Sequence, residues 1–246
     1  MKALPLMLLC ACVAAHADDA ISPDRPDFTN GPDVMAAGRF QIETSGAWQR
    51  GGSTRLRSTP TLLRLGLGRD LELRLETDGL LRQRDPAAHG RGDLAAGFKW
   101  QLQDGDENRP GLGWLLEVKT PTGSGDFKGR GVRPALNFLA QWELPAGWSL
   151  GTMAGVVTDR NDADRRYTAG VLSASLGIPV NDKLHGFAEV AGQQLASRRN
   201  GGNIVTLGTG LAWQVTNDVQ LDSAVFRGLN RDTPDWAWTV GLSLRF

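Results

Sequence analysis

Few side chains in this sequence could act as a general base or a nucleophile, because it holds three histidines and two cysteines. Cys10, Cys12 and His16 lie within an N-terminal stretch that reads as a cleaved leader. His89 lies in a loop-like stretch, and His185 begins a predicted strand that faces inward. No serine near either residue completes an acid, base and nucleophile set. The sequence therefore predicts no enzyme, no catalytic residue and no cofactor, and a hydrolase is the weakest alternative.

Charged residues recur on one side of an alternating pattern, and these could select solutes if they line an enclosed pore. The predicted lumen-lining and solute-binding residues are Arg64, Glu72, Arg74, Glu76, Lys99, Glu117, Lys119, Glu143, Glu189 and Asp222. A structural interpretation stays open, in which opposite charges on neighbouring strands pair and hold the wall together. The balanced signs predict no strong preference for anions or cations.

Residues 18–38 are rich in proline and aspartate and lack apolar periodicity, which indicates an irregular N-terminal segment. Two interpretations stay open for Asp24, Arg25 and Asp27. The segment could fold inward as a plug or lid whose aspartates meet Arg64, Arg74 or Lys99. The alternative is a mobile periplasmic tail.

Other ligand chemistry finds little support. The formal net charge is +0, so no excess of basic residues exists to bind the phosphates of nucleic acid. Gly123-Ser124-Gly125 lacks the lysine and the following helix of a phosphate loop, and the aspartates of residues 159–164 lack calcium-loop spacing. We therefore predict no metal site.

The first 17 residues predict a signal peptide. Lys2 precedes an apolar stretch, and Ala15-His16-Ala17 supplies small residues for cleavage. A lipoprotein leader cleaved before Cys12 is the alternative. No segment offers the roughly 20 apolar residues of a spanning helix, so any membrane crossing must use strands.

From Arg39 to Phe246 apolar and polar residues alternate with period two, which is typical of strands joined by turns. Residues 39–246 are expected to form an all-β, antiparallel up-and-down transmembrane barrel of about twelve strands. The predicted strands are 39–50, 57–68, 71–82, 92–103, 112–121, 134–144, 148–158, 167–178, 184–194, 203–215, 219–227 and 235–246. Pro60 should lie near a strand end, because it cannot donate to a ladder.

Aromatic residues distinguish a membrane barrel from a soluble sandwich, since aromatic side chains favour both membrane interfaces. With the N-terminus in the periplasm, Trp100, Trp114, Trp142, Trp148 and Trp213 fall at the periplasmic rim. Trp48, Tyr167, Trp236 and Trp238 fall at the outer rim, and Phe246 ends the last strand. Connections at the outer rim, such as 83–91, 121–133, 159–166 and 195–202, are predicted to be the longer ones.

Several motifs resemble one bacterial family: Asp24-Arg25-Pro26-Asp27-Phe28-Thr29-Asn30, Pro121-Thr122-Gly123, Gly228-Leu229-Asn230 and Pro234-Asp235-Trp236 before a strand that ends in Phe246. This is the outer-membrane transporter family named for the meta-pathway of phenol degradation. The resemblance implies an outer-membrane channel for passive diffusion of small solutes, aromatic or hydrophobic compounds among them. A closed structural or ligand-binding barrel is the alternative. The expected partners are outer-membrane lipid, small-molecule solutes and, through the C-terminal strand, the barrel-assembly machinery.

Overall fold

The computed structural model describes residues 20–246, and the expected leader with both cysteines lies outside this range. Fifteen strand segments follow one another along the chain. They are β1 (Phe40–Gly51), β2 (Thr54–Ser58), β3 (Thr61–Gly66), β4 (Leu71–Thr77), β5 (Leu80–Arg84), β6 (Ala88–Arg91), β7 (Leu94–Gln103), β8 (Gly111–Thr120), β9 (Arg133–Glu143), β10 (Ser149–Arg160), β11 (Arg166–Asn181), β12 (Leu184–Leu195), β13 (Ile204–Thr216), β14 (Val219–Gly228) and β15 (Trp236–Arg245). Three single-turn 3₁₀ helices lie at Gly125–Phe127, Pro145–Gly147 and Arg198–Asn200.

The segments form one antiparallel sheet that closes on itself, because β15 pairs with β1 from Gln41↔Arg245 to Arg50↔Trp236. The pairs β2/β3, β4/β5 and β6/β7 each form a single barrel strand with a short break. The barrel therefore has twelve strands, which confirms the predicted up-and-down topology. Closure leaves only the short segment β6, which pairs with β5 alone, at an edge of the sheet.

Two of the three breaks have local causes. Pro60, between β2 and β3, has no N–H to donate, and its carbonyl accepts the Ser45 N–H at 3.0 Å. Gly79, between β4 and β5, has φ +67°, a conformation that glycine adopts without strain. The register changes from Thr61↔Thr77 to Arg57↔Arg82 across this point, so one extra residue bulges out of the ladder.

The two ends of the barrel differ in their connections. The end that holds residues 67–70, 104–110, 144–148, 182–183 and 217–218 is called the turn end, and the opposite end is called the loop end. The loop end carries the two longest connections, 121–132 and 196–203, together with 161–165 and 229–235, whereas the turn-end connection 104–110 is as long as 229–235. The predicted loop 83–91 is wrong, because β5 and β6 pair there, with Arg82↔His89, around a tight turn at 85–87. Its polar sequence resembles a loop, although it forms a hairpin.

Side chains alternate between the two faces of the wall. On β12, Glu189 is buried and Val190 is exposed, and on β15 Ser243 is buried and Val240 is exposed. Leucine, valine and tryptophan dominate the exposed outward face, whereas the buried inward face holds many polar and charged residues.

No helix within residues 20–246 combines the length and the apolar character needed to cross a membrane.

Candidate functional site in the barrel interior

Residues 20–38, here called the luminal segment, run through the interior of the barrel. The segment is fixed at the turn end by two backbone hydrogen bonds, Ile21 N–H to Asn217 O at 2.8 Å and Gly38 N–H to Gly66 O at 2.9 Å. Between these points it contacts inward-facing side chains of β1, β3, β4, β7, β11, β12 and β14. These strands include members on opposite sides of the wall, so the segment occupies the lumen.

A buried group of three acids and three bases, here called the ionic cluster, lies where the segment meets β1, β3, β4 and β7. Its members are Asp24, Glu43, Arg64, Glu72, Arg74 and Lys99. The Arg64 guanidinium donates two parallel bonds to Glu72, both at 2.8 Å, and a third to Glu43 at 3.0 Å. Bidentate charge-assisted pairs of this kind are strong and directional. The cluster is electrically neutral.

Asp24 is the member of the ionic cluster that belongs to the luminal segment. Its carboxylate accepts from Lys99 Nζ at 2.8 Å through both oxygens and from Arg74, and it lies 3.8 Å from Arg64. Burial disfavours the charged form, but Arg64, Lys99 and Arg74 outweigh it and lower the pKa of Asp24. Asp24 is therefore held as a carboxylate that pins the segment to the wall.

Glu189 on β12 provides a second attachment. Its carboxylate accepts the Phe28 N–H at 3.0 Å, the Thr29 N–H at 2.7 Å and the Thr29 hydroxyl at 2.7 Å. The luminal segment forms no strand, so its backbone N–H groups are not paired in a sheet ladder. The Glu189 carboxylate accepts two of them instead. Without Glu189 these buried donors would lack their acceptor.

Arg25 provides a third attachment, with Nη2 donating to Asp222 Oδ1 at 3.1 Å. Gly241 on β15 lies beside this pair, and a Cβ there would contact Asp222 and Arg25. The absent side chain leaves room for the ion pair against the wall.

The luminal segment divides the interior into two cavities. The loop-end cavity is about 410 Å³ and the turn-end cavity is about 280 Å³. Asp27 lines both, so it lies at the boundary between them. Burial first, and then the neighbouring Glu189 carboxylate, raise the pKa of Asp27 to about 7.

Part of the lining of the loop-end cavity is apolar, here called the apolar wall, and part is charged, here called the charged wall. The apolar wall consists of Leu115, Met153 and Val171, with Phe28 and Val157 packed against them. The charged wall consists of Arg74, Glu76, Glu117, Lys119, Arg133 and Asp159. An amphipathic cavity of this kind suits a small molecule with an apolar body and a polar group.

The structure brings most of the predicted lumen residues to the interior. Arg64, Glu72, Arg74 and Lys99 meet in the ionic cluster, Glu189 and Asp222 hold the segment, and Glu76, Glu117 and Lys119 line the loop-end cavity. Glu143 is separate from them, because it lies exposed at the turn end and accepts from Gln141 at 3.3 Å. Sequence reasoning missed Glu43, which shares its inward phase with Gln41 and Ser45.

The contacts of Asp24 with Arg64, Arg74 and Lys99 that the plug interpretation predicts are present in the structure.

Most of the predicted belt residues lie on the outward face. Trp100, Trp114, Trp142 and Trp213 are exposed near the turn end, Trp48, Trp236 and Trp238 are exposed near the loop end, and Phe246 stacks near Phe40. Trp148 precedes β10 and is half-buried. Tyr167 is different, because it pairs with the cavity-lining Asp159 and its hydroxyl donates to Gln194 at 3.2 Å. The prediction of an outer-belt position for Tyr167 is wrong, because the residue has the inward phase of β11.

Residues 23–246 match the protein family described as "Putative MetA-pathway of phenol degradation". The chain belongs to this family. This family match confirms the resemblance inferred from the sequence. A comparison with curated protein sequences found no match.

Solved structures share the fold at low sequence identity. The COG4313 outer membrane channel from Pseudomonas putida F1 is 13% identical, with a TM-score of 0.66 over 92% of this chain and 100% of that one. The KdgM porin in complex with disordered oligogalacturonate is 9% identical, with a TM-score of 0.58 over 84% and 99%. The NanC porin is 9% identical, with a TM-score of 0.58 over 82% and 98%.

Proposed function

We propose that this protein is a bacterial outer-membrane channel through which small solutes diffuse passively, and that its luminal segment acts as a plug. The observation that carries the proposal is the pair of cavities at opposite ends of one lumen, separated by a segment held through side-chain contacts. Family membership and the fold shared with outer-membrane channels and porins support it.

The membrane location is supported by the outward face. In a closed barrel, leucine, valine and tryptophan side chains on that face have no protein partner to cover them, and acyl chains would do so. Exposed tryptophans near both ends suit the two membrane interfaces. The N-terminus would then lie in the periplasm with the turn end, and the loop end would face the exterior.

Liposome swelling tests transport directly. We expect vesicles that contain the protein to swell faster than protein-free vesicles in benzenesulfonate and in glucose, two solutes that cross pure lipid slowly. Equal swelling rates with and without protein would instead favour a closed structural barrel. This is the second candidate function, because the neutral ionic cluster fills part of the lumen.

We further propose that the transported solutes include compounds with an apolar or aromatic body, because of the apolar wall of the loop-end cavity. Leu115→Gln should lower benzenesulfonate uptake relative to glucose uptake several-fold, since a buried amide would replace apolar surface in contact with the solute. Leu116→Gln is the matched control, because Leu116 is the next residue on β8 and is exposed on the outward face. Equal uptake ratios in both variants would contradict the assignment.

The luminal segment should be held inside the barrel, here called the seated state, more stably at acidic pH than at alkaline pH. A carboxyl whose pKa is raised from 3.8 to about 7 on seating stabilises the seated state below pH 4, and this contribution is lost as the pH rises through about 7. We therefore expect more frequent channel opening at pH 8 than at pH 5. Single-channel recording of the wild type and of Asp27→Asn measures it, and the variant should show a flatter dependence.

Neighbouring groups are the control for that pH dependence. Glu189 and Asp24 also face Asp27, and His185 lines the turn-end cavity. His185→Gln should keep the wild-type pH dependence. If His185→Gln abolished it and Asp27→Asn did not, the assignment to Asp27 would be wrong.

A further inference from the structure

Four arginines, Arg55, Arg57, Arg82 and Arg84, are exposed near the loop end and are here called the arginine patch. Arg57 is the cross-strand partner of Trp48, which is exposed on the outward face and stacks on Trp238 at 5.0 Å. Directly opposed residues in an antiparallel pair project to the same face. The arginine patch therefore points away from the lumen.

The sheet register arranges these residues in two rows across neighbouring strands. The row nearer the rim is Arg227, Trp236, Arg50, Arg55 and Arg84. The row below it is Val225, Trp238, Trp48, Arg57, Arg82 and His89. Because adjacent strands lie roughly 4.8 Å apart and alternate residues roughly 7 Å apart, the four guanidinium groups form a compact basic surface.

No carboxylate of the described chain, residues 20–246, forms an ion pair with any of the four arginines of the patch. Like charges placed directly opposite each other destabilise a sheet, as Arg55↔Arg84 and Arg57↔Arg82 do here. A cavity of about 50 Å³ is lined by these four residues alone. The geometry calls for an anion supplied from outside the chain.

An apolar groove borders the arginine patch. A cavity of about 290 Å³ is lined by Trp48, Trp236, Trp238 and Val225 together with arginines of both rows. Arg227 lies over the Trp236 ring at 4.6 Å, and Leu80 is 65% exposed on the same face. Basic groups beside an exposed apolar and aromatic surface match the level of lipid headgroups above acyl chains.

We propose that the arginine patch binds the phosphate groups of an anionic glycolipid in the outer leaflet, with part of the same lipid lying in the adjacent groove. The inference rests on the proposed membrane location, but it does not depend on transport. The planar guanidinium matches phosphate geometry through two parallel hydrogen bonds. Anionic lipid also attracts clustered basic residues electrostatically. A free phosphate would satisfy the charges but would leave the apolar groove uncovered.

Native mass spectrometry of the detergent-solubilised protein tests the proposal with three probes: bisphosphorylated lipid A, dephosphorylated lipid A and inorganic phosphate. The test variant carries Arg55→Gln, Arg57→Gln, Arg82→Gln and Arg84→Gln. The matched control carries Arg165→Gln, Arg166→Gln, Arg198→Gln and Arg199→Gln, four exposed arginines of other loop-end positions that have no ion pair within residues 20–246.

We expect the wild type and the control to bind bisphosphorylated lipid A equally, and the patch variant to bind it about ten-fold or more weakly. Dephosphorylated lipid should bind weakly to all three proteins. The proposal is wrong if the patch variant binds like the wild type, or if removal of the phosphates changes nothing. Inorganic phosphate that displaces the lipid at micromolar concentration would point to a free-anion site instead.

Conductance of the same three proteins separates this inference from the proposed function. A patch variant that loses lipid binding and keeps the wild-type conductance supports the site. Normal conductance with unchanged lipid binding contradicts the site alone, whereas lipid binding without any conductance contradicts the channel alone.

Discussion

Asp24→Lys is expected to expel the luminal segment from the barrel and to raise single-channel conductance several-fold. The substitution places a fourth cation against Arg64, Arg74 and Lys99, where a carboxylate now accepts from Lys99 at 2.8 Å. Removing one partner from buried charge pairs costs about 3–5 kcal/mol, and reversing its sign adds repulsion. Planar-bilayer recording measures the conductance, and limited proteolysis reports exposure of residues 20–38.

Two further variants make the Asp24 result interpretable. Asp24→Asn removes the charge without adding a cation, so its conductance should lie between those of the wild type and Asp24→Lys. Asp162→Lys reverses a carboxylate that is fully exposed in a loop-end connection, and it should change nothing. Wild-type conductance and protease resistance in Asp24→Lys would show that the segment does not depend on this contact.

Arg64→Met should destabilise the whole barrel. Arg64 donates to Glu72 and Glu43, and its Nη1 also donates to the Ser22 carbonyl at 2.9 Å. Loss of the guanidinium leaves two buried carboxylates without their main partner, at a cost of about 3–5 kcal/mol. On heating in detergent, the folded barrel converts to the unfolded chain, and gel mobility reports this conversion. The conversion should occur at a lower temperature in Arg64→Met than in the wild type.

A matched surface arginine and a double variant complete this test. Arg130→Met removes an exposed arginine and should change the free energy of unfolding by no more than about 0.5 kcal/mol. Arg64→Met with Glu72→Gln should recover part of the lost stability, because one unpaired carboxylate is then neutral. Equal unfolding temperatures for Arg64→Met and Arg130→Met would contradict a structural role for the ionic cluster.

The strands could be predicted because one rule holds along most of the wall. In Trp236–Phe246, for instance, apolar residues occupy one face and small or polar residues occupy the other. The same rule predicts that Lys99 and Glu189 face inward, and both are buried in the barrel interior. Alternation is a local property, so it survives in a single sequence.

The sequence analysis missed the arginine patch and misplaced Tyr167, for different reasons. The bulge at Gly79 changes the phase of β5, and it turns Arg82 and Arg84 outward to form the arginine patch. Tyr167 was assigned from its position along the strand rather than from its phase, and it faces inward. A bulge adds a single residue, and its position is not visible in hydrophobicity alone.

The location of the luminal segment also lay beyond sequence reasoning. Asp24 and Lys99 are distant in the chain, and they meet only because the sheet closes around the segment. Proline and aspartate predict an irregular segment equally well inside or outside the barrel. Whether residues 20–38 lie inside or outside the barrel therefore depends on how the sheet closes around them, which local composition does not reveal.

Planar-bilayer recording of the wild type beside a variant that lacks residues 20–38 tests the central claim most directly. If the segment divides the lumen as the contacts of Asp24 and Glu189 indicate, the truncated barrel should give discrete conductance steps several-fold larger than those of the wild type. Conductance steps of the same size in both proteins would contradict the claim.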